Sequence, residues 1–391
     1  MANPAIVLIA PYLTPGSIGP RAIRSRRIAE GLAAAGHEVR PIAIDDGRLG
    51  ELSGLGPPLA TAPGPLVGGM SASGTGRRRR LRSRLVAAAQ FALPVPDPHG
   101  RWAAQLLRCD ELRVKPPDAG CIYAVGPPYS SLVLGAALSR RWSLPLVGDL
   151  GDPWPSRGPV LRRLERRTMS ALDALIVTNQ RTAEHFAPML GAGTEVLIAA
   201  NGAEPVRRST RPGRPFFVQL GTLSPLRTDP GPVFEALSSL DRDGVIEFAS
   251  YGEAWVALSP EAAHHHHGVV PPDQALELMA EATALVIVGN RNPAQIPSKV
   301  YDVLASDVRA LYISELREEP GAELLRRSGH AVVSANEVAA ITEAARKLIG
   351  LEAAGSRPHP SSEHSWQRTV ERAVGVVESV AQDSASKQRH I

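Results

Sequence analysis

The chain has 391 residues, of which 43% are hydrophobic and 21% charged, a balance typical of globular domains. A chain of this length is too long to fold around a single hydrophobic core, so we expect two domains. The net charge of +4 and the two cysteines do not indicate nucleic-acid binding, a disulfide framework or a zinc site. With no signal-peptide pattern and no apolar run of about 18 residues, the sequence predicts a cytoplasmic protein.

Residues 5–44 predict a first βαβ unit. An apolar strand, a turn rich in proline and glycine, a helix and a second strand follow one another within this stretch. The turn carries Gly16 and Gly19 but lacks the pattern G-x-G-x-x-G, so a nicotinamide cofactor is not supported. The two glycines allow a ligand to approach the backbone at the strand's carboxyl end; the alternative is a simple tight turn.

The next segment has low complexity and a strong positive charge. Residues 46–76 predict a loop, and the basic run Arg77–Arg84 leads into an apolar helix at residues 85–91. Such a helix can lie on an anionic membrane surface, or it can be an ordinary solvated helix end. We therefore expect a cytoplasmic protein that is either free or peripheral to a membrane.

Two carboxylates mark the end of the predicted strand at residues 144–149. Asp149 ends the strand, and Asp152 follows in the sequence Gly-Asp-Pro-Trp. Open α/β sheets bind ligands at the carboxyl ends of their strands, so both are candidate catalytic residues. For Asp152 the alternative is an Asp-Pro turn.

A second series of strands and helices begins at residue 216. Its first strand ends at Gly221, and Arg227 follows as a candidate phosphate ligand. The run His264–His267 predicts a loop before a strand at 268–270, with a metal site as the weaker alternative. Metal binding is therefore not expected.

The stretch 293–306 follows an apolar strand and predicts a helix that begins at Pro297. Ser298 and Lys299 lie in its first turn, where free N–H groups favour an anion. Asp302 lies one turn further on the same face. A cation for phosphates and a carboxylate for ribose suit a nucleotide, whereas the alternative is a capped helix with both side chains in solvent.

The alternation of strands and helices predicts an α/β protein with two doubly wound, Rossmann-like domains facing a cleft. We predict an N-terminal domain at 1–205, a linker at 206–215 and a C-terminal domain at 216–362. A helix at 363–382 and a disordered tail at 383–391 complete the chain.

Several motifs follow one another along the chain. They are the turn with Arg21, the segments 32–39, 94–97 with Trp102, 122–131 and 144–154, Asn201-Gly202, the segment 296–302 and His364-Ser-Trp366. Together they resemble retaining glycosyltransferases of the GT-B fold, in the group related to bacterial mannosyl- and N-acetylglucosaminyl-transferases. The branch it resembles carries a Pro-Pro-x-Ser and an Asp-x-x-Asp-Pro-Trp motif. In that family the final helix crosses back to the first domain.

The resemblance implies roles for individual residues. The second domain would bind a nucleotide sugar of UDP or GDP type through Gly221, Thr222, Ser224, Arg227, Gly252, Ser298, Lys299 and Asp302. The first would bind the acceptor through Gly16, Gly19, Arg21, Tyr129, Ser130 and Trp154, with Asp149 and Asp152 as catalytic residues. The leaving phosphate would accept the acceptor's proton, so no protein nucleophile is required. Arg227 and Lys299 would balance the charge of the diphosphate, so neither a metal nor a cofactor besides the nucleotide sugar is implied.

Two positions depart from the family pattern. The family often carries two glutamates eight positions apart, where this chain has Ala294 and Asp302. The related branch also usually has arginine where Gly151 stands. These departures imply an unusual sugar or acceptor, or lost activity.

The first hypothesis is transfer to a small, natural-product-like acceptor. Alternatives are a lipid-linked or polysaccharide acceptor, a non-catalytic nucleotide-sugar-binding or scaffold protein, and a sugar-nucleotide epimerase. The oligomeric state stays open.

Overall fold

The computed structural model describes residues 3–14, 17, 19–44, 54–64, 96–154, 158–225 and 227–389. The chain forms two compact units, one of Met1–Ala200 with Thr369–Ile391 and one of Asn201–Arg368. The predicted boundary and linker differ from this division. Residues 206–215 belong to the second unit because they are bound to it: Arg208 N donates to Asp307 Oδ1 at 2.7 Å, and Arg211 pairs with Glu247 and Glu281.

The first unit contains a seven-stranded parallel sheet. Its strands are β1 (Ala5–Ile9), β2 (Val39–Ile44), β3 (Ala60–Ala62), β4 (Ala119–Gly126), β5 (Leu146–Leu150), β6 (Ala174–Val177) and β7 (Glu195–Ile198), in the spatial order β3-β2-β1-β4-β5-β6-β7. The helices are α1 (Pro20–Ala34), α2 (Gly100–Leu106), α3 (Ser130–Trp142), α4 (Gly158–Met169) and α5 (Gln180–Phe186), with short 3₁₀ turns at Asp110–Leu112 and Ala187–Met189.

The second unit contains a five-stranded parallel sheet. Its strands are β8 (Phe216–Leu220), β9 (Glu247–Tyr251), β10 (Ala284–Val288), β11 (Arg309–Ser314) and β12 (Ala331–Ala335), in the order β12-β11-β10-β8-β9. The helices are α6 (Gly231–Arg242), α7 (Pro260–His264), α8 (Pro272–Glu281), α9 (Lys299–Leu304), α10 (Pro320–Arg327) and α11 (Val338–Ala353). A 3₁₀ turn at Ser362–His364 precedes the last helix, α12 (Trp366–Arg389).

Both faces of the first sheet are covered, which explains why its strands are continuous apolar runs. Along β1 the side chains alternate: Val7 and Ile9 belong to one hydrophobic cluster, Ile6 and Leu8 to the other. The second cluster includes the apolar stripe of α12. Its Val370 packs so close to Gly31 of α1 that a Cβ there would lie 2.0 Å from Val370 Cγ1.

Three local predictions are wrong. The predicted loop at 46–76 contains β3, whose residues pair with β2. No strand forms at the described residues 268–270; His264 instead ends α7, and His266 makes a single bridge to Ser250. The tail predicted to be disordered is helical as far as Arg389, where α12 ends.

Candidate functional site

The loops after β1, β4 and β5 lie together because these three strands are neighbours in the sheet and all parallel. They bring the predicted acceptor residues of the first unit to one edge. Gly16 and the basic run Arg77–Arg84 lie outside the described residues, so their predictions stay untested. We call this set of loops the first edge.

An exposed ion pair joins two of the predicted residues. Arg21 Nη2 donates to Asp152 Oδ2 at 2.9 Å, and the two side chains keep 50% and 23% of their accessible surface. Arg21 lies in the first turn of α1, just after Gly19, and Asp152 lies just beyond β5. Both are therefore within reach of a ligand on the first edge.

Asp149 is fully buried and bonded within the first unit. Its side chain has no accessible surface and accepts from Arg24 Nε at 3.0 and 2.9 Å and from the Tyr123 hydroxyl at 2.6 Å. Burial raises the pKa of Tyr123 well above its ordinary value, and the nearby Asp149 charge raises it further, so the phenol stays a donor. The structure therefore corrects the predicted catalytic role: Asp149 holds α1 and β4 to β5.

Ser130 is also structural. It has no exposed surface; its Oγ donates to Asp97 Oδ1 at 2.7 Å and its N–H to Asp97 Oδ2 at 2.8 Å. Burial alone would raise the pKa of Asp97, but hydrogen bonds from His99 and Ser130 outweigh it and leave that pKa below its usual value. The prediction that Ser130 contacts the acceptor would require its hydroxyl and N–H to leave Asp97.

Tyr129 and Trp154 pack on each other instead of facing a ligand. Their rings stack with centroids 5.0 Å apart and an interplanar angle of 19°, and the two residues keep only 6% and 2% of their surface. The Tyr129 hydroxyl donates to Pro153 O at 2.7 Å. The prediction was that these two residues contact the acceptor. In the structure they support the loop that carries Asp152.

Two further residues, Tyr12 on the first edge and His99 just before α2, were not predicted from the sequence. The Tyr12 hydroxyl lies 2.9 Å from His99 Nε2, and His99 Nδ1 lies 3.5 Å from Asp97 Oδ1. His99 and the Asp97 carboxylate are largely buried, whereas Tyr12 is half-buried. The pair Asp97-x-His99 was a signal in the sequence, but nothing there placed it beside Tyr12, 87 positions away from His99.

In the second unit the turns after β8 and β9 meet at the carboxyl edge of the sheet. Gly221 N donates to Tyr251 O at 2.8 Å, and Gly252 N donates to Gly268 O at 2.7 Å. Gly252 has φ of 141°, and a Cβ there would lie 2.2 Å from Gly221 O. Glycine is therefore required by both backbone angle and space. These are the turns predicted to approach the donor.

Arg227 reaches across this edge to the end of β10. Its Nη1 donates to Val288 O at 3.2 Å, and its backbone bridges Asn290. The N–H of Asn290 in turn donates to the buried carboxylate of Glu319 at 2.9 Å, which also accepts from Tyr312 and Ser314. Glu319, which the sequence analysis missed, thus anchors the segment that orients Arg227.

Ser224 is buried near this segment, and its carbonyl accepts from Arg227 N at 3.0 Å. Thr222 lies partly exposed, one residue after Gly221. The structure therefore gathers Gly221, Thr222, Ser224, Arg227 and Gly252 at one edge, as the sequence predicted for the donor loops.

Helix α9 starts at Lys299, two residues later than predicted, with Ser298 at its N-cap position. Lys299 Nζ and Asp302 Oδ2 form an ion pair at 3.0 Å, with 28% and 21% of the side chains accessible. If Lys299 binds phosphate and Asp302 binds ribose, as predicted, the ligand must compete with this ion pair.

The two departures from the family pattern have different settings. Nothing lies within 4 Å of a Cβ built on Gly151, so packing does not exclude the arginine of the related branch. Ala294 is half-buried and its N–H donates to Asn292 Oδ1 at 3.0 Å.

Among the described residues, no three His, Cys, Asp or Glu side chains are grouped to hold a metal ion. No described helix is long and apolar enough to cross a bilayer.

Part of the chain is similar to a known family, and the whole chain is similar to several solved structures. Residues 22–202 match the family model of the glycosyl transferase 4-like domain. No curated protein matches the sequence. Anabaena Alr3699/HepE, solved with UDP and glucose, is 14% identical over 100% of both chains, with a TM-score of 0.57.

Two other solved structures are similar over most of their length. Sucrose-phosphate synthase from Thermosynechococcus elongatus is 12% identical over 99% of each chain, with a TM-score of 0.56. A Listeria monocytogenes protein described as a UDP-N-acetylglucosamine 2-epimerase is 10% identical over 98% of each chain, with a TM-score of 0.58.

These likenesses confirm the predicted fold class: two parallel-sheet α/β domains of the GT-B fold. The match to the glycosyl transferase 4-like domain covers residues 22–202, and the solved structures show the fold alone. Because sugar-phosphate synthesis and epimerisation both occur on this fold, the fold does not specify the reaction.

Proposed function

We propose that the protein is a glycosyltransferase that moves a sugar from a nucleotide-sugar donor to a small acceptor of the natural-product type. The observation that carries the proposal is the glycosyl transferase 4-like match over residues 22–202 within a chain of the GT-B fold. The UDP in the HepE structure supports a UDP donor, and a GDP donor is the alternative.

The geometry of the second unit supports donor binding there. Gly221 and Gly252 leave backbone accessible at the carboxyl edge of the sheet, and Arg227 is anchored beside them. Lys299 lies at the start of α9, directly after the loop that follows β10. We propose that Arg227 and Lys299 bind the diphosphate and Asp302 the ribose, so that no metal is needed to balance the phosphate charge.

For the chemistry we propose retention without a protein nucleophile. The bond from the anomeric carbon to the diphosphate breaks, and a bond to the acceptor forms on the same face. The acceptor's proton passes to a diphosphate oxygen. The burial of Asp149 supports this scheme, because its carboxylate has no accessible surface from which to attack the sugar. The protein contributes orientation and charge stabilisation.

One observation favours the alternative of a lipid-linked or polysaccharide acceptor. Helix α4 exposes Arg162, Arg163, Arg166 and Arg167, while its Glu165 is buried against the unit. Arg162 and Arg163 lie one helical turn before Arg166 and Arg167, so the like charges repel each other. Such a cluster is typical of a surface that binds an anionic partner.

A thermal-shift screen with UDP, GDP, dTDP, ADP and their sugars tests the donor. A nucleotide at about 100 times its dissociation constant stabilises by roughly 2.7 kcal/mol, which gives a clear rise in melting temperature. A shift followed by transfer to an acceptor supports the proposal. Binding without turnover across an acceptor panel indicates the non-catalytic alternative, and release of a 2-epimer without any acceptor indicates an epimerase.

Sedimentation with vesicles separates the two acceptor classes. We expect the small-acceptor enzyme to stay in solution with both anionic and neutral vesicles. If the four arginines of α4 serve a lipid-linked acceptor, binding to anionic vesicles will be lost when they are changed to serine. Changing the exposed Arg326 and Arg327 of α10 is the matched control.

A further inference from the structure

We infer that Tyr12 binds a hydroxyl or amine of the acceptor other than the one that attacks the sugar, and that His99 and Asp97 fix the Tyr12 hydroxyl in the orientation that accepts a hydrogen bond from that group. This inference rests on the proposed function and deepens it by naming the acceptor-binding group. Tyr12 lies in the loop directly after β1, half-buried at the first edge. Its substrate class is an acceptor that carries a hydroxyl or amine.

The contacts around His99 determine the direction of the hydrogen bond. The nearest acidic oxygen to Nδ1 is Asp97 Oδ1 at 3.5 Å, so a proton on Nδ1 is favoured by the carboxylate charge. Nε2 then carries the lone pair and accepts from the Tyr12 O–H at 2.9 Å. The Tyr12 oxygen keeps its own lone pairs for a donor outside the protein.

Both positioning residues are held rigidly. Asp97 accepts from His99 N at 2.8 Å and from Ser130 through two hydrogen bonds, so loops before α2 and before α3 fix its carboxylate. The rings of Tyr12 and His99 meet edge to face, with centroids 5.4 Å apart and an angle of 82°. A histidine and a carboxylate buried this far cost free energy, and that cost is typical of functional sites.

The charges around Tyr12 keep it a neutral phenol. Burial raises the pKa of Tyr12; the positive charge of Arg21 lowers it and the negative charge of Asp97 raises it, and the net effect is a raised pKa. Tyr12 is therefore a hydrogen-bonding group at neutral pH and not a phenolate.

The first test is Tyr12→Phe. It removes one neutral hydrogen bond, worth about 0.5–1.5 kcal/mol, so kcat/KM for the acceptor should fall about 2- to 13-fold. The affinity for the nucleotide donor should stay unchanged, because the change lies in the first unit. An unchanged acceptor KM and kcat/KM would overturn the inference, provided that urea unfolding shows the variant folded.

The second test changes His99. His99→Ala removes the group that accepts from the Tyr12 O–H, so the hydroxyl loses its fixed orientation and acceptor KM should rise, while nucleotide affinity stays unchanged. His99→Gln keeps an amide oxygen that can accept from Tyr12, so it should restore acceptor KM towards the wild-type value. A purely structural role of His99 would give no such rescue.

His359→Ala, a change of an exposed histidine, is the control and should keep the wild-type acceptor KM. If the wild type transfers sugar but Tyr12→Phe and His99→Ala behave like it, the acceptor-binding role of Tyr12 is wrong and the proposed function stands. If the wild type transfers to no acceptor with any donor that it binds, both are wrong.

Discussion

Arg24 meets Asp149 inside the first unit, where one guanidinium nitrogen, Nε, donates to both carboxylate oxygens. The two distances are 3.0 and 2.9 Å, and the side chains keep 4% and 0% of their accessible surface. Nη1 of the same arginine donates to Ala200 O at 3.2 Å. A single buried ion pair therefore connects helix α1, strand β5 and the last residue before the second unit.

Asp149→Ala should strongly destabilise the first unit. It leaves the Arg24 guanidinium buried without its counter-charge, and breaking one side of a buried pair typically costs about 3–5 kcal/mol. We expect the free energy of unfolding in urea to fall by this amount. Asp152→Ala is the matched control, because its pair with Arg21 is exposed and should contribute at most about 1 kcal/mol. Equal effects would contradict the structural role of Asp149.

Asp149 also shows what the sequence could not predict. Apolar runs and glycine turns predicted two parallel α/β units, because that pattern depends on local order along the chain. The role of a side chain depends on which distant residue meets it: Arg24 lies 125 positions from Asp149. For the same reason, the contacts of Tyr12, His99 and Glu319 could not be predicted, whereas Arg227 and the glycine turns could be proposed from their places after strands.

Lys299→Ala should weaken donor binding. A charge-assisted hydrogen bond to phosphate is worth roughly 1.5–3 kcal/mol, which corresponds to about a 10- to 100-fold or greater rise in the dissociation constant. Calorimetric titration with UDP and GDP measures it. In the free protein Lys299 pairs with Asp302 at 3.0 Å, so removing the lysine also frees the carboxylate and adds repulsion of the phosphates.

The comparison with Asp302→Asn distinguishes the two roles. If Asp302 binds ribose, this variant loses affinity for nucleosides as well as nucleotides. If Asp302 only pairs with Lys299, the affinity for diphosphate rises. Arg326→Ala changes an exposed arginine that pairs with Glu323 and should leave both affinities unchanged. Unchanged nucleotide affinity in Lys299→Ala would reject the placement of the donor at α9.

Gly252→Ala should disturb the turn between β9 and the segment beyond it. The new Cβ would lie 2.2 Å from Gly221 O, and φ of 141° is strained for any residue with a Cβ. We expect loss of nucleotide binding together with lower stability, measured by thermal shift with and without nucleotide.

Gly350→Ala provides the matched control for this glycine. Gly350 lies in α11 with nothing within 4 Å of its Cβ position, so alanine there should raise helix stability by up to about 1 kcal/mol without changing binding. Normal nucleotide binding by Gly252→Ala would show that the two glycine turns do not meet a ligand.

His330 should make the second unit acid-sensitive. It is 1% exposed, its Nε2 lies 3.2 Å from Ser306 O, and burial lowers its pKa, with hydrogen bonds to Ser328 and Ser306 opposing the shift. The unfolded histidine then binds a proton at a higher pH than the folded one. Stability is therefore complete above the unfolded pKa of about 6.5 and falls as the pH drops towards the folded pKa, by at most about 1.4 kcal/mol per pH unit for this group.

Urea unfolding at about pH 7.5 and about pH 5.5 measures this dependence, since the two values bracket the ordinary histidine pKa. His330→Gln cannot take up the proton, so its stability should be lower than that of the wild type at the higher pH but should change less between the two. His266 and His364 also have lowered pKa values because of burial, so a residual slope should remain. A slope equal to that of the wild type would show that the buried His330 titrates as it does in the unfolded chain.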